Sequence, residues 1–431
     1  MSGEKKTKKR RFEKKTGRTV MVVLFSLIVA AVTVIVTLAL ISGIGSLSAT
    51  TGKVVADEEK IRAYEEALAA SEETEEVTEE AEDPDLEKAQ QVLDTMTLEE
   101  KIYQLFITSP DQLTGRIGTE KPEELTEKLE AAPVGGLILY EANVYSAEQV
   151  SALLDGVQET AKIPMLLGID AEPGHDEGLS AFGITDDSEP AAVFGDNQDL
   201  SGIKAFGTKA GADIKKVGFN LSFAPVSDTL IDLGNTEIGN RSFSSDPMTV
   251  SSMVREMIEG IHKSSVATCT KHFPGLGSTS SDTDRGPVRC ARSMDELREA
   301  ELIPFRTAIE TETDMMMVSH VQYPAIVEGG LPASLSPIMI QEILRGELGY
   351  QGVIITDSLR KRAITNEYSS SEASVLAIQA GCDMILLPSD LEEAVNGIRA
   401  AIDSGDIRED RINESVLRIL LLKAKYGLLP S

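Results

Sequence analysis

The sequence predicts an α/β fold, a single (β/α)8 barrel of the TIM type, preceded by one N-terminal transmembrane helix and an acidic stalk. Three observations lead there. Eight short apolar runs alternate with amphipathic stretches over most of the chain, polar residues gather directly after those runs, and ahead of them lie a long uncharged segment and a strongly acidic one.

Residues 1–18 carry nine Lys/Arg against Glu4 and Glu13, a net +7, in a 431-residue chain of formal charge −29, so the remainder carries −36. A body this acidic argues against nucleic acid as a partner. No charge occurs from Thr19 to Gly52. Val20 to Ile44, at about 1.5 Å per residue, is long enough to cross a hydrocarbon core of about 30 Å. The basic flank before it holds the N-terminus in the cytoplasm and exports the rest of the chain. We therefore expect a basic cytoplasmic tail at 1–18, a transmembrane helix at 19–45, and a single-pass cell-membrane protein with its main domain extracellular. The alternative, a cleaved signal peptide, ordinarily has an apolar region of about 7–15 residues, shorter than this one.

From 46 to 92 the chain is acidic and poor in large apolar residues, with SEETEEVTEEAEDPD at its centre. Dense like charge resists burial, so this segment reads as a solvated, largely disordered stalk, with helix left open between Asp57 and Ala70. The 42% hydrophobic content is enough for a sizeable core. Three cysteines, Cys269, Cys290 and Cys382, are odd in number and form no metal pattern. Cys269 and Cys382 read as buried small hydrophobes; a disulfide between Cys269 and Cys290 stays open in an oxidising compartment.

The barrel is placed at 93–431. Its strands are expected in IYQLFIT (102–108), GGLILY (135–140), PMLLGID (164–170), FNLSFAP (219–225), SVATCTKHF (265–273), MMMVSHV (315–321), GVIITD (352–357) and MILLP (384–388). Continuous Val/Ile/Leu-rich runs between helices indicate parallel strands buried on both faces. Eight of them fit a closed barrel, although an open doubly wound sheet would show the same periodicity. Asp170, Glu172, Asp228, Lys271, His272, His320 and Asp357 come at or just after the ends of these runs. In a barrel the C-terminal strand ends form one face, and that face carries the chemistry.

Asp357 ends GVIITD, where an acid is held rigidly and partly desolvated, as a nucleophile must be; the same position also suits a helix N-cap. Lys271 and His272 pair a cation with an imidazole ahead of PGLG, whose glycines let the backbone pass close to a ligand. His320 is a further donor at that face, whereas His262 lies on an amphipathic helix away from it. The dispersed histidines show no metal-ligand spacing, so neither a metal nor another cofactor is expected.

At these residues the chain resembles glycoside hydrolase family 3, in particular its short bacterial β-N-acetylglucosaminidases. The resemblance spans about 93–428 and rests on MTLEEKIYQLF, APVGGLILY, FNLSFAPVSD, GNRSFSSDP, KHFPGLGS, PASLSPIMIQEILRGELGYQGVIITDSL and INESVLRILLLKAKYGL. It implies a barrel fold and a retaining mechanism through a glycosyl-enzyme intermediate. Asp357 matches the nucleophile. Arg241, Lys271 and His272 match residues that grip the sugar, and Asp170 matches the acid that binds its far hydroxyls. With the chain ending soon after the eighth run, the proton donor is expected from the loop after KHFPG, where the short enzymes share an Asp-x-His pair. Asp282 matches the Asp, and Asp284 stands where the His is expected.

Two further departures are visible. The sugar-binding turn DAEPGHDEGLS has Pro173 in place of a glycine and no Lys or Arg until Lys204, and the usual second histidine of KHFPG is Leu276. Two carboxylates can share a retaining mechanism, and Asp282 beside Asp284 raises the latter's pKa. Paired carboxylates also repel phosphate, which favours hydrolysis over phosphorolysis. These residues leave two functions: an anchored extracellular hydrolase removing β-linked N-acetylhexosamine from cell-wall glycans such as peptidoglycan, or a tethered glycan- or protein-binding module that has lost turnover.

Overall fold

All eight apolar runs contain a strand, and the strands are parallel. A computed structural model describes residues 83–429 apart from 122; the expected tail, the transmembrane helix at 19–45 and most of the stalk lie outside the described residues. The strands are β1 (Phe106–Thr108), β2 (Gly136–Ile138), β3 (Leu166–Ile169), β4 (Leu221–Ser222), β5 (Ala267–Phe273), β6 (Met315–Val318), β7 (Val353–Thr356) and β8 (Ile385–Leu386). They pair in chain order, and β8 returns to β1 through Phe106↔Ile385. A parallel bridge, Ile355↔Met384, links β7 to the residue just before β8, so the sheet comes round into a nearly closed barrel. An open doubly wound sheet does not fit this pairing.

The apolar residues of these strands are buried along their whole length, as a barrel lined inside and covered by helices outside requires. Packing at the centre is tight enough to dictate residue size. A Cβ on Gly168 of β3 would lie 2.5 Å from the Phe223 ring, so glycine is the residue that leaves room for that phenyl group.

Two boundaries differ from the sequence expectation. The first run begins as helix: Thr97 and Glu100 form a capping box that starts the helix Leu98–Gln104, and only Phe106–Thr108 is strand. The last part of the presumed stalk is also helical. Asp83 caps the helix Pro84–Thr95, which buries Ala89 and Leu93 and packs against the C-terminal helix Glu409–Lys425. Its acidic composition belongs to its exposed face. Among the described residues no helix is long and apolar enough to cross a membrane. Cys269, Cys290 and Cys382 are all buried free thiols, which removes the Cys269–Cys290 disulfide from consideration.

Candidate active site

The loops after β2, β3, β4, β5, β7 and β8 enclose a cavity of about 370 Å³ lined by Tyr140, Asp170, His175, Arg241, Lys271, His272, Asp284, Asp357, Ser358, Arg360, Lys361 and several apolar residues. It lies at the C-terminal strand ends, the face on which barrels carry chemistry. Most of the residues singled out from sequence therefore converge.

On the β3–β5 side the charges interlock. Arg241 grips Glu172 with two parallel bonds, Nε to Oε2 and Nη2 to Oε1, both 2.8 Å. Lys271 Nζ sits 2.6 Å from Glu172 Oε1 and donates to Asp170 Oδ1 at 2.7 Å. Burial alone would raise the pKa of Glu172 and lower that of Lys271; the opposed charges win, so Glu172 is held well below the usual carboxylate range and Lys271 above its ordinary value. Such a network is preorganised: a polar ligand would meet donors and acceptors already oriented and ionised. Asp170 Oδ2 takes no hydrogen bond among the described residues, which leaves it available.

His272 is fixed from behind. Its Nδ1 lies 2.7 Å from Asp228 Oδ2, which also accepts the His272 backbone N–H at 3.1 Å, while Asp228 Oδ1 accepts from Leu276 N at 2.6 Å. Asp228 thus organises the whole KHFPGL turn. The glycines of PGLG serve protein packing here. A Cβ on Gly277 would lie 2.1 Å from the Thr229 carbonyl oxygen, and Gly277 O accepts from Ile231 and Asp232. Gly277 thus lets the β5 loop lie directly on the β4 loop.

His320 is fully buried and does not line the cavity. Its Nδ1 is 2.8 Å from Ser334 Oγ and its Nε2 is 2.9 Å from the Ser358 carbonyl oxygen, so both ring nitrogens are engaged. Burial pushes its pKa down. It braces the segment that carries Asp357 without facing the space where a ligand fits.

Asp357 is only 5% exposed. Its Oδ1 accepts from the Ser358 backbone N–H at 2.6 Å; Oδ2 stands 3.1 Å from Lys361 Nζ without a well-aligned hydrogen bond. Burial would raise its pKa, but Lys361, His320 and His272 hold it well below the usual range, so it is an anion at neutral pH. A buried, ionised carboxylate with one oxygen unengaged is the condition of a nucleophile.

Asp284 occupies the opposite lip and is largely exposed, with its Oδ2 4.0 Å from Lys361 Nζ. Partial burial raises its pKa; Lys361 pulls it back, and Asp357, Glu237 and Asp282 push it further up. Both carboxylates reach one ammonium nitrogen, at 3.1 and 4.0 Å, so their Oδ2 atoms lie at most about 7 Å apart. Asp282 is turned into its own loop: Oδ1 accepts the Asp284 N–H at 2.8 Å and Oδ2 pairs with Arg285 at 3.2 Å.

Two groups bring acid or imidazole atoms within 4.8 Å of one another, Asp170/Glu172/His175 and Glu237/Asp282/Asp284. In the first, Arg241 and Lys271 pair with Glu172; in the second, Lys361 pairs with Glu237. Sequence reasoning missed Tyr140, Glu237, Arg360 and Lys361. Lys361 carried one faint signal, its spacing of four from Asp357, and Glu237 carried none beyond lying just before GNRSF.

Residues 97–422 match the glycosyl hydrolase family 3 N-terminal domain. A β-hexosaminidase of Stenotrophomonas maltophilia (strain K279a) is 34% identical over 294 residues, 67% of this chain and 86% of its own length. That of Idiomarina loihiensis is 33% identical over 305 residues, 70% and 90% of the two chains. Among solved structures, a family 3 β-N-acetylglucosaminidase from Paenibacillus sp. str. FPU-7 superposes with a TM-score of 0.73 at 32% identity, covering 78% of this chain and 64% of that one. This protein thus spans less than two thirds of the Paenibacillus chain. With the barrel, the convergent carboxylates and these matches together, the chain belongs to glycosyl hydrolase family 3, a family of glycosidases.

Proposed function

We propose that this protein hydrolyses terminal β-linked N-acetylhexosamine, with N-acetylglucosamine the expected sugar, by a retaining mechanism. The observation that carries this reading is Asp357: a buried, ionised carboxylate with Oδ2 free of a hydrogen bond, on a residue that lines a cavity whose other lip bears a second carboxylate. In the first step Asp357 Oδ2 bonds to the anomeric carbon as the bond to the leaving oxygen breaks, and Asp284 gives that oxygen its proton. In the second, Asp284 takes a proton from water, whose oxygen bonds to the anomeric carbon and releases Asp357. Asp170, Arg241, Lys271 and His272 hold the sugar. The position of Asp284 beside Asp357 disfavours phosphate as the second nucleophile.

A second reading, a tethered glycan- or protein-binding module, draws on one observation: Asp282 is engaged with Arg285 and its own loop, so the expected dyad is not assembled. We favour the enzyme because a pure binder has no use for an ionised buried Asp357. The uncharged segment at 19–45 makes the hydrolase membrane-tethered and its substrate an extracellular glycan, peptidoglycan or its fragments being the nearest class. The test is a time course on the full-length protein with an aryl N-acetyl-β-glucosaminide and a natural disaccharide, in phosphate and in chloride buffer. Wild type should turn over both equally in either buffer, Asp357→Ala neither, and the activity should stay with membranes through an alkaline wash. A silent wild type that Asp284→His awakens would establish the binding reading instead.

A further inference from the structure

Lys361 is not among the residues to which the family resemblance assigns a role, yet its ammonium meets both carboxylates, Thr283 of the loop that carries one of them, and Glu237, which grips that loop. Its Nζ donates to Glu237 Oε1 at 2.8 Å and Thr283 Oγ1 at 3.0 Å, and lies 3.1 Å from Asp357 Oδ2 and 4.0 Å from Asp284 Oδ2. Glu237, from the loop after β4, accepts the Thr283 N–H at 3.0 Å and the Thr283 hydroxyl at 2.5 Å. Ala363 N donates to Thr283 O at 3.0 Å. Thr283 is fully buried by this grip, and Asp284 is the next residue. Asp282, meanwhile, brings Asp284 a like charge, within 4.8 Å.

We propose that Lys361, clamped by Glu237, is the positioning residue of this site: it seats the Asp284 loop against the nucleophile loop and balances whichever of Asp357 and Asp284 is ionised. This rests on the hydrolase reading above. The proposed mechanism starts with Asp357 as the anion and Asp284 carrying the proton. Once Asp357 is esterified it is neutral, and Asp284, having given up its proton to the leaving oxygen, is the anion. A single ammonium within 4.0 Å of both leaves neither charge uncompensated at either stage, and so avoids the cost of an unpaired charge in a partly dry site.

The titratable groups facing Asp357 are Lys361, His320 and His272, of which Lys361 is the standing cation; those facing Asp284 are Lys361, Asp357, Glu237 and Asp282. Removing the Lys361 cation therefore raises both acids, and removing the Glu237 anion lowers Asp284. The experiment is the pH profile of kcat/KM on the full-length protein. Lys361→Met should lose about tenfold or more and move both limbs to higher pH, with a larger loss on the disaccharide than on the aryl glycoside, while Lys361→Arg recovers most of the activity. Glu237→Gln should move the alkaline limb the other way, to lower pH; it also decides the matter if Lys361→Met fails to fold by circular dichroism. An active wild type whose variants keep both limbs in place overturns the role of Lys361 alone. A wild type without turnover overturns the hydrolase reading and this inference with it.

Discussion

The proposed mechanism gives Asp357 and Asp284 opposite tasks, and their surroundings differ in the matching sense. A nucleophile must be ionised, and the Lys361 ammonium above all keeps Asp357 so despite burial. The proton donor must hold its proton near neutrality, and partial burial beside three other carboxylates raises its pKa against the pull of Lys361. The acid limb of kcat/KM then belongs to Asp357 and the alkaline limb to Asp284. If Asp284 is the donor, Asp284→Ala should lose about 10²–10⁴ in kcat on a natural disaccharide, whose leaving oxygen needs a proton, and far less on a 2,4-dinitrophenyl glycoside. Equal losses on both substrates would remove the acid role. Asp357 was legible because a strand end presents its acid wherever the strand goes. Lys361 and Glu237 were not, because they sit on different loops, 124 residues apart, and meet only in space.

The elements were legible in proportion to how local their signals are. Each of the eight runs holds a strand because consecutive branched and aliphatic residues buried on both faces leave few alternatives. The exceptions are ends. In MTLEEKIYQLF the Thr97 capping box carries helix into the apolar run, and in DPDLEKAQQVLDT the acidic residues hid Ala89 and Leu93, one helical turn apart on a buried face. That helix is part of the folded domain. Leu93→Ala in the full chain should therefore cost about 2–4 kcal/mol in urea unfolding, against less than about 0.5 for Glu87→Ala on the exposed side. Equal, small effects would return residues 84–92 to the stalk.

At the scale of the whole molecule, the C-terminal helix is tied to the first barrel helix by Lys423, which is fully buried and donates to Gln104 Oε1 at 2.6 Å. Among the described residues no carboxylate pairs with it. Burial alone pulls its ammonium from an ordinary 10.5 down to about 7. Between those values the unfolded chain holds a proton that the folded chain does not, so this group makes stability rise with pH from about 7 to 10 and withholds that gain below 7. Lys423→Met should be more stable than wild type by a few kcal/mol at pH 6, with the difference shrinking as pH approaches 10. A constant difference across that range would mean the lysine stays charged.

By itself the sequence determined the eight barrel strands, the parallel α/β class, the family and the strand-end place of Asp357, since all of these are written in contiguous runs and strand-end residues. The tertiary structure decided closure, through Ile355 beside Met384, and the partner of each charge: Glu172 for Arg241, Asp228 for His272, Lys361 for both carboxylates. Burial and Coulomb interaction depend on distance through space, and loops from separate strands set those distances without leaving a period or a motif in the chain.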